Sequence, residues 1–159
     1  HKVLVIGDGP ARGWFEANLP GGIFAGFKTG EALGQALASG DVFFNPSVTE
    51  TFGNVTLEAM ASGLPVVAAG ATGSASLVAD GVTGRLVEPS GSMTTDAVGF
   101  AAALAPYCSD RSLRAAHGSA GETRACEYSW EAINAVVAET YVQLVEERRE
   151  SLSPYRSAT

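Results

Sequence analysis

Basic residues are scarce in this sequence. It carries ten lysine and arginine residues against seventeen acidic ones, for a net charge of −7, and its only lysines are Lys2 and Lys28. A surface of this sign cannot neutralise a phosphate backbone. We therefore expect neither a nucleic acid nor an anionic membrane surface as a partner of this chain.

Cysteine is also rare, and long apolar runs are absent. Cys108 and Cys126 are the two cysteines, and no metal-binding or redox motif surrounds them; this pattern predicts a reducing, cytoplasmic compartment. No apolar run approaches the roughly 20 residues that a membrane span requires. A length of 159 residues with 46% hydrophobic content predicts one well-buried domain over 1–159.

Apolar runs and helical patterns alternate along the first ninety or so residues. The runs are continuous, which is typical of parallel strands covered on both faces. They predict strands over 2–6, 22–26, 41–45, 64–69 and 84–87, and helices over 11–19, 31–39, 54–61 and 75–79. We therefore predict an α/β fold: a three-layer, Rossmann-like domain with a mostly parallel sheet of about five to six strands.

The C-terminal part predicts helices only. Helices are expected over 94–105, closed by Pro106, over 112–127, and from an N-cap at Ser129 onward. The last helix has an apolar stripe that predicts packing, and 151–159 is expected to form a polar tail. The stripe consists of Trp130, Ile133, Val137, Tyr141 and Leu144. We interpret His117 as a surface or helix-end residue.

The chain begins directly on a strand. We therefore expect that the first strand of the sheet is missing and that the sequence is a fragment of a larger protein.

A glycine-rich loop follows the first strand. Gly7, Gly9 and Gly13 imitate a dinucleotide-binding loop, and that reading would predict a nicotinamide cofactor. Such a site requires an acidic residue about twenty positions later, where this chain has Phe27-Lys28, and Pro10 removes one amide from the loop. We favour an ordinary strand-to-helix turn whose glycines lie near a ligand, and we expect no cofactor.

A segment with several features of a ligand-binding site spans residues 45–67. A buried strand ends at Pro46, a polar loop follows, and a helix opens near Gly53 and Asn54. Ligands of doubly wound sheets bind at the carboxyl ends of the strands. The open amides of a helix N-terminus supply positive potential that suits a diphosphate, and Gly53 lets the backbone approach it closely.

Two carboxylates lie on either side of this predicted anion site. Glu50 precedes the helix and Glu58 lies about one turn inside it. Carboxylates accept hydrogen bonds from hydroxyl groups, whereas neither belongs against a phosphate. A ligand with a central diphosphate and hydroxyls on both sides, such as a nucleoside-diphosphate sugar, fits this arrangement.

The segment Pro46 to Val67 resembles the Glu-x7-Glu motif P-S-x-x-E-x-F-G-x-x-x-x-E-A-M-A-x-G-x-P-V-V of the retaining GT-B glycosyltransferases of family 4, or group 1. Weaker likenesses occur in the family's order along nearly the whole chain. They are the glycine-rich segment 5–12, the F-x-G at 24–26, the D-G-x-T-G-x-L-V at 80–87 and the F-S-W-E-like segment 128–131.

The resemblance implies that this chain is the donor-binding half of a retaining GT-B enzyme. Because no D-x-D is present, we expect this enzyme to be metal-independent. The resemblance also implies that Glu50, the catalytic candidate, contacts the donor sugar, that the amides of 52–55 serve sugar and diphosphate, and that Glu58 holds the ribose. Phe27 and Lys28 would wall the nucleobase, with Gly7 and Gly9 near the nucleotide. Those roles fall on Glu50, Phe52, Gly53, Asn54, Val55, Glu58, Gly7, Gly9, Phe27 and Lys28.

The sequence departs from the family in two places. Ser76 and Ala75 stand where the family has Glu and Pro, and the family's diphosphate-clamping Arg and Lys would precede residue 1. The resemblance also implies an N-terminal acceptor domain outside this chain, through which alone a membrane would be reached. The isolated chain is expected to transfer no sugar. The alternative is a stand-alone Rossmann-like nucleotide-binding module without transferase activity.

Overall fold

The computed structural model describes residues 1–156, the side chains of residues 72, 150 and 152–156 excepted. The chain divides into two compact units, His1–Ala125 and a second that begins at Cys126.

Strands and helices alternate through the first unit, as the sequence predicts. The strands are β1 (Leu4–Ile6), β2 (Ile23–Gly26), β3 (Phe43–Asn45), β4 (Val66–Ala69) and β5 (Gly84–Val87). The helices are α1 (Arg12–Asn18), α2 (Gly30–Ala38), α3 (Asn54–Ala61), α4 (Thr72–Leu77), α5 (Met93–Ser109) and α6 (Arg111–Ala125). The α/β class is confirmed.

The strands form two parallel sheets, where we expected one. β1 pairs with β2, whereas β3, β4 and β5 form a separate sheet in that order. A single sheet would require β1 or β2 to bond to the second group, and among the described residues β3 is bonded only to β4. The expectation of one continuous sheet is therefore wrong, although its parallel character is right.

The core lies around β4 and α3. All four residues of β4 are fully buried, as a continuous apolar run between two covering layers should be. A second cluster of Leu37, Ala59 and Leu64 is packed by Ile6 of β1, Leu33 of α2 and Phe43 of β3. Both sheets therefore contribute to the same apolar packing.

Helix α5 continues past the proline that was expected to end it. Pro106 lies inside α5, which ends at Ser109, and the amide of Asp110 donates to the Pro106 carbonyl at 3.0 Å. A proline removes only its own donor, so one further turn can still form beyond it.

His117 lies in the middle of α6, half-buried, and a hydrogen bond of 2.7 Å joins its Nδ1 to the Tyr107 hydroxyl. Its interpretation as a surface or helix-end residue is wrong.

The second unit consists of a 3₁₀ turn, Cys126–Tyr128, and one long helix, α7 (Trp130–Arg156). Ser129 caps α7 as predicted, because its Oγ accepts from the Ala132 amide at 3.1 Å. The helix extends through Arg156 where a tail was expected from residue 151, because the glutamates and arginines of 146–150 are good helix formers. Residues 157–159 of the expected tail lie outside the described part.

The apolar stripe of α7 is not packed as predicted. Trp130 is 77% exposed and Tyr141 is 68% exposed. Helical periodicity identifies a face that can be buried, but the second unit offers only its short 3₁₀ turn to cover that face. None of the helices within residues 1–156 has the length and apolarity of a bilayer crossing.

Candidate functional site

The carboxyl end of β3 and the start of α3 form the central part of the candidate site. α3 begins at Asn54, and its N-cap is Gly53, whose φ of +97° lies in the left-handed region. No side chain caps this helix. The amides of its first turn have no acceptor within the helix, and they carry the positive end of its dipole.

Glu50 is held beside this helix by the end of β3. Its Oε2 accepts a hydrogen bond of 3.1 Å from the Asn45 side-chain amide, which also donates to Thr56 Oγ1 at 3.3 Å. Asn45 is 9% exposed and Thr56 is fully buried. The polar network therefore lies under the loop rather than on its surface.

Helix α4 closes the other side of the loop. The amide of Gly73 donates to the Glu50 carbonyl at 3.1 Å. A Cβ at Gly73 would lie 2.8 Å from Glu50 Cγ and from the carbonyl carbon of Phe52. Position 73 therefore accepts only a residue without a side chain if the loop is to keep this position.

Glu58 lies one turn inside α3. Its side chain is exposed, and it makes no ion pair or side-chain hydrogen bond within the part of the chain that the structure describes. Phe52, Asn54 and Val55, also exposed, lie around the same helix start. This end of α3 therefore presents one free carboxylate and a turn of open amides.

The loops after β1 and β2 form a second group. The amide of Gly7 donates to the Gly26 carbonyl at 2.9 Å, and the amide of Gly9 donates to its neighbour Asp8 at 2.8 Å. Phe27 is 76% exposed and Lys28 is half-buried. Both glycine amides already donate within the chain, so a pyrophosphate would have to replace those bonds, whereas the glycines give a ligand room without any change.

Arg12 pairs with acidic neighbours. Its Nε donates to Glu16 at 2.8 Å and its Nη1 to Asp8 at 3.3 Å. The hydrogen bond to Glu16 and the charges of both carboxylates raise the pKa of Arg12. Arg12 is thus engaged by its own helix and loop.

The residue pattern and geometry agree with comparisons to known proteins. Residues 1–110 match the family model of the "Glycosyl transferases group 1". The chain belongs to this glycosyltransferase family.

Two relatives illustrate the match. The chain is 40% identical over 136 residues to the sulfoquinovosyl transferase SQD2 of Arabidopsis thaliana, which covers 82% of the chain and 26% of that protein. It is 43% identical over 90 residues to a GDP-mannose-dependent alpha-mannosyltransferase of Mycolicibacterium smegmatis, covering 57% of the chain and 24% of the relative. The chain thus spans about a quarter of the length of these relatives.

Solved structures agree with the GT-B fold. The sucrose-phosphate synthase of Thermosynechococcus elongatus superposes with a TM-score of 0.76 at 30% identity, over 91% of this chain and 38% of that one. Anabaena Alr3699/HepE in complex with UDP-glucose gives 0.67 at 28% identity, over 88% and 40% of the two chains.

In this glycosyltransferase chain, sequence reasoning assigned no role to Asn45 or Gly73. A signal for Asn45 was present, because a polar residue that ends a buried apolar strand must find a hydrogen-bond partner. No signal for Gly73 existed in one sequence, since its contact with Glu50 and Phe52 depends on tertiary packing.

Glu58 is exposed, whereas Glu50 is half-buried. Two cavities of about 470 Å³ and 500 Å³ lie beside α5, and neither is lined by Glu50 or Glu58. Within residues 1–156, no three His, Cys, Asp or Glu side chains group in a way that could hold a metal ion.

Proposed function

We propose that this chain is the donor-binding half of a retaining, metal-independent glycosyltransferase. The enzyme would transfer a sugar from a UDP- or GDP-type nucleoside-diphosphate sugar to an acceptor hydroxyl. One observation carries the proposal: the uncapped α3 N-terminus behind left-handed Gly53, with Glu50 held on one side and Glu58 free on the other.

Each group has a role suited to its chemistry. Glu50 accepts from the hydroxyls of the donor sugar, and the amides of Phe52, Gly53, Asn54 and Val55 face sugar and diphosphate. Glu58 accepts from the ribose hydroxyls. The exposed Phe27 and the half-buried Lys28 form a wall for the nucleobase, while Gly7 and Gly9 leave room for the nucleotide.

Transfer breaks the bond between the anomeric carbon and the diphosphate oxygen, and that oxygen keeps the electron pair. The acceptor oxygen bonds to the same carbon, and its proton passes to the departing diphosphate, which leaves as the nucleoside diphosphate. The helix N-terminus stabilises the negative charge that develops on the diphosphate, which is the part of the reaction where fixed dipoles contribute most. Supplying that potential from the backbone is the reason for proposing that no metal is needed.

We place the acceptor-binding domain outside this chain. The chain's span of about a quarter of its relatives supports this division. A further strand in the parent, between β1 and β3, would join the two sheets into one. In that architecture the isolated chain transfers no sugar, and any membrane contact belongs to the missing domain. The scarcity of cysteine supports a cytoplasmic location for the protein.

Calorimetry on the 159-residue chain tests the proposal. We expect binding of UDP or GDP in preference to ADP, tighter binding of the matching nucleotide sugar, and no transfer. Glu58→Gln should weaken nucleotide binding about tenfold, as the loss of one charge-assisted hydrogen bond does.

A matched control is Glu31→Gln, an exposed glutamate on α2 that should change nothing. Absence of binding to every nucleotide and nucleotide sugar, in the chain and in its parent alike, would reject the proposal. Binding of nucleotides with no gain from any sugar, in the chain and its parent alike, would favour the stand-alone nucleotide-binding module.

A further inference from the structure

The Asn45 side chain lies at the end of β3, where the loop to α3 begins. Its Nδ2 donates to Glu50 Oε2 at 3.1 Å and to Thr56 Oγ1 at 3.3 Å, and its Oδ1 accepts from the Ser47 amide at 3.1 Å. Both ends of the amide are thus used. Turning the amide round would set its oxygen against a carboxylate and its NH₂ against an N–H, so the network fixes its orientation.

Asn45 is anchored in the sheet. It is the last residue of β3, in register with fully buried Ala68 of β4, and is itself only 9% exposed. Glu50 lies in a loop whose other residues 48, 49, 51 and 52 are all exposed. A fixed donor beneath the Glu50 carboxylate favours the rotamers of Glu50 that reach this donor.

We propose that Asn45 is a positioning residue, which orients the Glu50 carboxylate toward the donor sugar by tying it to the sheet. The proposal rests on the proposed sugar-binding role of Glu50. Asn45 itself does not touch the donor. Its side chain links β3 and Thr56 of α3 to the Glu50 carboxylate through hydrogen bonds, so the position of Glu50 follows that of the sheet and the helix.

The test separates sugar recognition from nucleotide binding. Asn45→Leu keeps the number of side-chain heavy atoms and their branching and removes the donor. We expect its affinity for UDP or GDP to remain within about twofold, whereas its affinity for the matching nucleotide sugar, UDP-glucose or GDP-mannose, falls about tenfold. Glu50→Gln should show the same split, and the double variant should lose no more than either single one.

Thr83→Val is the matched control for a general loss of stability. Thr83 is 2% exposed, and its Oγ1 accepts from the Ala79 amide at 2.9 Å, away from the loop. This variant loses a buried hydrogen bond yet should keep the full gain from the sugar. An unchanged nucleotide-sugar affinity in Asn45→Leu, or an equal loss for nucleotide and nucleotide sugar, overturns the positioning role.

Amide hydrogen exchange tests Asn45 without any ligand. In Asn45→Leu we expect the Ser47 and Gly73 amides to exchange about tenfold faster, since the loop loses its tie to the sheet, while the Leu57 amide of α3 keeps its protection. Unchanged exchange at Gly73 would overturn the proposal. If neither the wild-type chain nor its parent binds a nucleotide, the proposed function fails, and the exchange result still decides whether Asn45 orders the loop.

Discussion

Among single residues of the candidate site, Gly53 is constrained by its own backbone conformation. Its φ of +97° and ψ of +47° lie in the left-handed region, and a Cβ there would lie 3.2 Å from Leu77 Cδ1. The sequence predicted a glycine for close approach to a ligand. The structure adds that the turn into α3 requires glycine even without a ligand.

We predict that Gly53→Ala lowers the free energy of unfolding by about 1–2 kcal/mol, because an L-residue is strained in this conformation. Urea denaturation measures the change. Gly34→Ala is the control: it lies inside α2, a Cβ there meets no atom within 4 Å, and alanine should stabilise by about 0.5–1 kcal/mol. Equal effects of the two substitutions would contradict the assigned strain.

Among the elements, the packing of α3 against α6 depends on two glycines of α6. A Cβ at Gly118 would overlap the carbonyl oxygen of Gly63, in the turn after α3. At Gly121 the nearest atoms would be Cβ and Cγ of Met60, each at an ordinary 3.7 Å. These glycines bring α6 close to its neighbours.

Gly118→Ala should destabilise the chain by about 1–3 kcal/mol, since backbone must move to admit the methyl group. Gly121→Ala should be neutral or slightly stabilising, because the same helix gains about 1 kcal/mol of propensity without a clash. Thermal and urea unfolding of both variants check this. An unchanged free energy of unfolding in Gly118→Ala would contradict the close approach of α6 to Gly63.

Because Tyr107 of α5 is buried against α6, the free energy of unfolding of the chain depends on pH in the alkaline range. Burial raises the pKa of Tyr107 to about 12, from an ordinary value of about 10. Above pH 10 the unfolded chain therefore loses this proton first, so the stabilisation present below pH 10 is lost as the pH rises towards 12. The stability difference between wild type and Tyr107→Phe should shrink across this range, as urea titrations from pH 9 to 12 would measure. A stability difference between the two proteins that stays constant from pH 9 to 12 would contradict this prediction.

For the whole molecule, local patterns predicted more than long-range pairing. The bounds of α3 and β5 matched because a motif and flanking glycines delimit them. The division into two sheets, the exposure of Trp130 and the Asn45 network depend on which segments meet in space. Periodicity gives a segment's apolar face but does not identify what covers it.

The division of the sheet also has a consequence for handling the isolated chain. Among the described residues, β1 is bonded only to β2 and β3 only to β4. Each therefore presents a row of unpaired donors and acceptors that another extended chain can match. At high concentration such edges favour aggregation through added strands, so dilute, cold solutions suit measurements on this molecule.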